Sequence, residues 1–175
     1  MTQSDRQQRL LALLKSDGVS VHRLLVRLTL NETVADDLMQ ELFLRLSQSI
    51  PFDQAKNPVA YVRRTAMNLA FEWKRQRKRS VAGSLEEEPI SVSQSPEDMI
   101  QQQEDMDMVL NALSELSEDA RQVLVLHRLE GEPYDSIAEQ MDKTSHQVRA
   151  ICSKAIQRLR DVLNDDSAST SETQS

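Results

Sequence analysis

Tyr61, Arg64, Asn68, Phe71 and Arg75 recur at steps of three and four within NPVAYVRRTAMNLAFEWKRQRKR, the stretch Asn57–Arg79. On a helix they share one face. That face mixes cations, a carboxamide and aromatic rings. Cations hold a phosphate backbone, rings stack on bases that have left a duplex, and an amide hydrogen-bonds base edges, a combination suited to gripping single-stranded nucleic acid. About 200° round the same helix, Val59, Val62, Ala66, Leu69 and Trp73 repeat the spacing of a buried stripe. Trp73 is read as core packing, with base stacking the alternative.

The elements that position this helix follow from composition. The chain has 175 residues, 39% of them hydrophobic, with three glycines and 3% aromatics. A β fold needs more turn formers and β-formers than that, so the expected class is all-α. The net charge of −7 argues against nucleic acid until its distribution is read. Residues 55–80 carry 8 cations and 1 acid, whereas residues 81–120 carry 11 acids and no cation. A local field governs binding, and here it is strongly basic.

A single cysteine, Cys152, excludes an internal disulfide and fits a reducing compartment. The N-terminus MTQSDRQQRL is charged where a secretory signal is apolar, and no apolar run approaches the ~20 residues of a membrane span. The expectation is a cytoplasmic protein without membrane insertion.

Along the chain, one helix is expected over residues 5–16, stopping near Gly18, and a second over Val19–Leu30. Thr33 and Asp36 have the form of a capping box for a third, whose stripe is Leu38, Met39, Leu42, Phe43 and Leu46. Pro51, Asp53 and Asn57 break the pattern before Pro58 opens the basic helix. Four helices therefore fill a first domain, residues 1–80, followed by an acidic flexible linker over 81–105 rich in Ser, Glu, Pro and Gln. A second domain spans 106–166, and SASTSETQS from Ser167 to Ser175 reads as a disordered tail. Within the second domain Ser117 caps a helix that ends at Gly131, and Pro133 opens a short one. After a turn at Asp142–Thr144, Ser145 caps a long basic helix.

That last pair has helix-turn-helix form. Val148, Ile151, Cys152, Ala155, Ile156, Leu159 and Leu163 share an inner face, and His146, Gln147, Arg149, Ala150, Ser153, Lys154 and Gln157 the outer side. Small and hydrogen-bonding groups near the start of such a helix suit a major groove. A helical hairpin that binds nothing is the competing interpretation of this pair taken alone.

With both halves in view, the chain resembles bacterial RNA polymerase sigma factors of the extracytoplasmic-function type. The resemblance rests on ADDLMQELFLRL (Ala35–Leu46), on NPVAYVRRTAMNLAFEWKRQRKR, and on LSELSEDARQVLVLHRLEGEPYDSIAEQM with the helix ending RLRDVL. It implies a four-helix region 2 and a helix-turn-helix region 4, and as partners core RNA polymerase, through its β′ clamp and β flap, and promoter DNA. An anti-sigma factor is a further partner that the family allows. Asp37, Gln40 and Glu41 fall on the helix that docks on the β′ clamp. Asn68 falls where the family reads the minus-ten element, and Ser49–Asn57 corresponds to the loop that captures a flipped base. Phe52 and Tyr61 would join that pocket, with Arg64, Phe71 and Arg75 along the same face. Arg63, Lys74, Arg77, Lys78 and Arg79 would hold phosphates, which position but carry no sequence information. His146, Gln147, Arg149, Ser153 and Lys154 fall on the helix that reads the minus-thirty-five element. Pro133, Ser136 and Asp142 depart from the family's usual Ser or Thr, Glu and Gly; Asp tolerates a left-handed backbone, so the turn survives. The acidic linker either threads the polymerase's nucleic-acid channels or is a solvated spacer.

No enzymatic constellation is present in the sequence. His22, His127 and His146 are far apart, without metal-ligand spacing, and Cys152 sits on an inner face. The expectation is a non-enzyme with no metal and no cofactor. The alternative is a free-standing helix-turn-helix regulator, which leaves Asn57–Arg79 without a purpose. A protein-interaction adaptor, which would bind no DNA, is the third reading.

Overall fold

The computed structural model describes residues 2–81 and 96–171, and the side chains of 2–80 and 101–165. Every regular element among the described residues is helical. The all-α expectation holds, and the chain divides into two compact units, residues 1–92 and 93–175.

The first unit contains α1 (Gln3–Thr29), α2 (Glu32–Ser47), α3 (Ile50–Asp53) and α4 (Pro58–Val81). A reciprocal capping box starts α1: Asp5 N donates to Thr2 Oγ1 at 3.2 Å, and Thr2 N donates to Asp5 Oδ2 at 3.0 Å. Contrary to the sequence expectation, α1 does not stop at Gly18, which is buried inside it. One glycine costs about 1 kcal/mol in a helix interior. That is small against the burial of Leu10 on one side of it and Val21, Leu24, Leu25 and Leu28 on the other. The helix ends instead at Leu30, in the left-handed region at φ 56°. Nor is Thr33 the cap of α2. Asn31 takes that place, its side chain accepting from Val34 N at 3.0 Å. Pro58 opens α4 as expected, and Asn57 Oδ1 accepts from Ala60 N at 3.0 Å.

All three other helices pack on α4. Its buried set is correspondingly wide: Ala60, Val62, Ala66, Met67, Leu69, Ala70 and Phe71. The segment between α2 and α4 is not an open loop but contains α3, whose Phe52 is fully buried. A polar anchor from the start of α1 holds it. Arg6 Nε and Nη2 both donate to Asp53 Oδ2, at 2.8 and 2.5 Å, and Arg9 Nη1 donates to the Asp53 carbonyl at 3.1 Å. The hydrogen bond from Arg6 holds the Asp53 carboxyl below the usual carboxylate range. A lowered folded-state pKa stabilises the fold above the unfolded value, about pH 4, and the stabilisation fades as pH falls through the folded value. Asp53→Asn should therefore melt a few degrees below the parent at pH 7, with the gap closing in acid as pH falls through the lowered Asp53 value. A gap independent of pH would remove the carboxylate's charge from the explanation.

The second unit contains α5 (Pro96–Ser114), α6 (Glu118–Leu124) continued by a π-helical turn over Val125–Leu129, α7 (Tyr134–Met141) and α8 (Ser145–Ser171). Helix α5 begins inside the segment read as linker. Proline suits its first position. The rest of that linker, residues 82–95, lies outside the described residues. Helix α8 likewise runs into the segment read as a tail, and only residues 172–175 of that tail lie outside the described residues.

Helices α5, α6 and α7 each pack on α8. Ile137, Ala138, Val148, Cys152 and Ala155 form the helix-turn-helix core. The turn is left-handed at Asp142, φ 54°, as expected from the residue type. Lys143 N closes it by donating to Ala138 O at 2.9 Å. Thr144, not Ser145, caps α8: Gln147 N donates to Thr144 Oγ1 at 3.2 Å and Thr144 N to Gln147 Oε1 at 2.8 Å. The Ser145 hydroxyl is turned to the Asp135 carboxylate and ties α8 to α7.

Candidate nucleic-acid interface

On α4, Arg64, Arg77, Lys78 and Arg79 are exposed, and Tyr61, Arg63, Asn68 and Arg75 are half-buried. These remain together as a cationic, hydrogen-bonding surface. Phe71 does not belong to it. At 0% exposure it is core, because α4 is enclosed from several sides and the face expected for bases is partly consumed by packing. Lys74, expected as a phosphate contact, is also enclosed. It is 6% exposed, and its ammonium lies 5.9 Å from the Trp73 ring centroid. Its four-carbon stem covers apolar surface. Trp73 itself is half-buried, with the Arg77 guanidinium 5.4 Å from its centroid, so the ring serves the boundary between core and basic end.

At the other end of the surface, Tyr61 lies 6.2 Å from Phe52, ring to ring, and its hydroxyl is 3.4 Å from Ser49 Oγ. Phe52 offers no face for a base while buried beneath Tyr61, with the Arg9 guanidinium 5.5 Å from its centroid. Tyr61 is the accessible ring of the pair. The pairing of Arg6 and Arg9 with Asp53, which shapes this end, has no local signal in the sequence, because the partners are more than forty residues apart.

Helix α2 presents Asp37, Gln40 and Leu44 on one exposed strip, Leu44 being 56% exposed. Leu44 was missed, although its phase, four residues after Gln40, places it there. Glu41 is half-buried and occupied: Arg45 Nε donates to it at 2.8 Å, and Arg45 Nη1 lies 3.2 Å from Glu72 Oε2 on α4. Asp36 pairs with His22 of α1 at 2.8 Å.

On α8, His146, Gln147, Arg149, Ser153 and Lys154 are all exposed, on the side away from Val148 and Cys152. Gln147 uses its carboxamide oxygen for the cap. Arg149 lies over Tyr134, with its guanidinium carbon 5.6 Å from the ring centroid. No group of three or more His, Cys, Asp or Glu among the described residues could hold a metal ion. None of the described helices is long and apolar enough to cross a membrane.

These two surfaces fall within two successive family matches. Residues 13–80 match Sigma-70 region 2, and residues 106–159 match Sigma-70, region 4. Together they cover well over half of the chain, which belongs to the sigma-70 family. Among curated proteins, the chain is 27% identical over 150 residues to a probable RNA polymerase sigma factor, RfaY, of Xanthomonas campestris pv. campestris, covering 82% of this chain and 38% of that one. It is 28% identical over 164 residues to the ECF RNA polymerase sigma factor SigE of Mycolicibacterium smegmatis, covering 92% of this chain and 64% of that one. The chain thus spans less than two thirds of the length of either relative. Among solved structures, it is similar to the sigma factor RpoE in complex with the anti-sigma factor NepR from Bartonella quintana, with a TM-score of 0.49 and 22% identity over 91% of this chain and 97% of that one. CnrH in complex with the cytosolic domain of CnrY gives a TM-score of 0.49 and 19% identity over 94% of this chain and 93% of that one.

Proposed function

We propose that this protein is an extracytoplasmic-function sigma factor of the cytoplasm, which binds core RNA polymerase and directs initiation at promoters carrying a minus-ten and a minus-thirty-five element. The observation that carries the reading is the pairing of two DNA-suited helices in one chain. Helix α4 has a cationic, amide-bearing surface beside an accessible tyrosine, and α8 has an exposed polar side in a helix-turn-helix. In this reading the Asp37–Gln40–Leu44 strip docks on the β′ clamp, and the second unit docks on the β flap. Asn68 and Tyr61 receive unpaired minus-ten bases while Arg63, Arg64, Arg75, Arg77, Lys78 and Arg79 hold the backbone. His146, Arg149, Ser153 and Lys154 meet the minus-thirty-five element. An anti-sigma factor would act by covering one of these surfaces.

Extruding bases costs a few kcal/mol of unstacking, which contacts made only to the open strand must offset. Asn68→Ala should therefore reduce the rate of promoter opening about tenfold while changing closed-complex affinity less than threefold. Equal losses in both steps would remove Asn68 from that role. A free-standing regulator is distinguished by a mobility-shift assay with and without core polymerase. The sigma reading predicts specific retardation only with the polymerase; equal specific binding by the chain alone would favour the regulator.

A further inference from the structure

The turn between α6 and α7 is built around a stack of side chains that the helix-turn-helix pattern does not require. The last turn of the α6 segment is π-helical, with Glu130 N donating to Val125 O at 3.0 Å, and such turns often mark functional positions. Gly131 then reverses the chain at φ 72°, a conformation costly for other residues. His127 lies in the π turn, and its Nδ1 is 2.9 Å from the Glu132 carbonyl across that reversal. A carbonyl oxygen only accepts, so Nδ1 carries the hydrogen and the imidazole is fixed in place.

The fixed imidazole is stacked on Tyr134, the first residue of α7, with ring centroids 4.1 Å apart and planes at 23°. The Tyr134 hydroxyl donates to Cys152 Sγ of α8 at 3.6 Å. The same phenol ring lies under the Arg149 guanidinium, one turn before Cys152 on α8. Arginine has many rotamers, and bidentate recognition of a base edge needs its planar fork in one orientation. A ring already holding the guanidinium removes much of that freedom before DNA arrives.

We propose that Tyr134, held by His127, is the positioning residue that sets the direction from which Arg149 meets promoter bases, so that this pair shapes base preference at the minus-thirty-five element. The proposal rests on the reading of α8 as the helix that meets that element. Its consequence is that base preference depends on two residues outside α8.

The test uses the full chain with core polymerase and a library of templates randomised over the minus-thirty-five element, comparing initiation by Arg149→Ala, Tyr134→Leu, Tyr134→Phe and His127→Gln. Arg149→Ala should flatten the preference at particular base pairs. Tyr134→Leu should flatten it at the same pairs by about two- to fivefold, His127→Gln by less, and Tyr134→Phe, which keeps the ring, should restore the parent pattern. If Tyr134→Leu and His127→Gln leave preference at those pairs unchanged, or weaken every template equally, the proposal is overturned while the reading of α8 stands. If Arg149→Ala itself changes no preference, that reading fails and the proposal with it. Should Tyr134→Leu lose its helical circular dichroism, His127→Gln decides the matter.

Discussion

Phe71→Ala should destabilise the protein by about 3–5 kcal/mol, the usual cost of truncating a fully buried phenylalanine. The ring is completely enclosed on a helix that touches every other helix of its unit. A typical domain has only about 5–15 kcal/mol in total, so the first unit should unfold at much lower urea while the second keeps its own transition. Urea unfolding followed by circular dichroism reads this directly. The result also decides between two roles for one residue. Were Phe71 a stacking platform for promoter bases, the variant would remain as stable as the parent and only promoter opening would suffer.

Leu44→Asp should have the opposite profile. Leu44 is 56% exposed, so the free protein's stability should change by less than about 0.5 kcal/mol. An apolar side chain buried by docking can carry 2 kcal/mol or more of binding. Affinity for core polymerase should therefore drop about 30-fold or more, measured by fluorescence anisotropy of labelled protein. Glu41, already engaged with Arg45, should matter less than Asp37 or Gln40 in the same assay. Unchanged affinity in Leu44→Asp would move the docking surface elsewhere.

The contrast between these two residues shows where sequence periodicity carries and where it stops. A helix with one neighbour has one buried stripe, and the two-stripe reading of Asn57–Arg79 assumed that case. Helix α4 has three neighbours, so the buried set widens until it takes in Phe71 and the stem of Lys74. Leu44 illustrates the reverse, an apolar residue left outside because α2 buries only Ala35, Leu38, Leu42, Leu46 and Ser47.

Local signals were legible where nothing competed with them. Pro58 starts α4, Ser117 caps α6, and Asp142 takes the left-handed turn. Gly18 and Thr33 misled because flanking apolar contacts carried α1 through the glycine and a better cap, Asn31, stood two residues earlier. The anchor of Arg6 on Asp53 and the stack of His127 on Tyr134 were not legible at all. Each depends on where distant or sharply turned backbone places a side chain, which no spacing rule encodes.

The exposed side of α8 follows from its periodicity, but nothing in the spacing sets Arg149 apart from the other polar residues there. Its ring partner on α7 gives it an approach set from outside α8.

In the proposed function this chain programs a polymerase rather than acting on DNA alone. The most direct measurement adds the purified chain to core RNA polymerase with a genomic template library and maps transcript starts. Discrete starts preceded by a shared pair of sequence elements, and absent without the chain, are the predicted result. No promoter-dependent transcript from any template would rule out a sigma role for this chain.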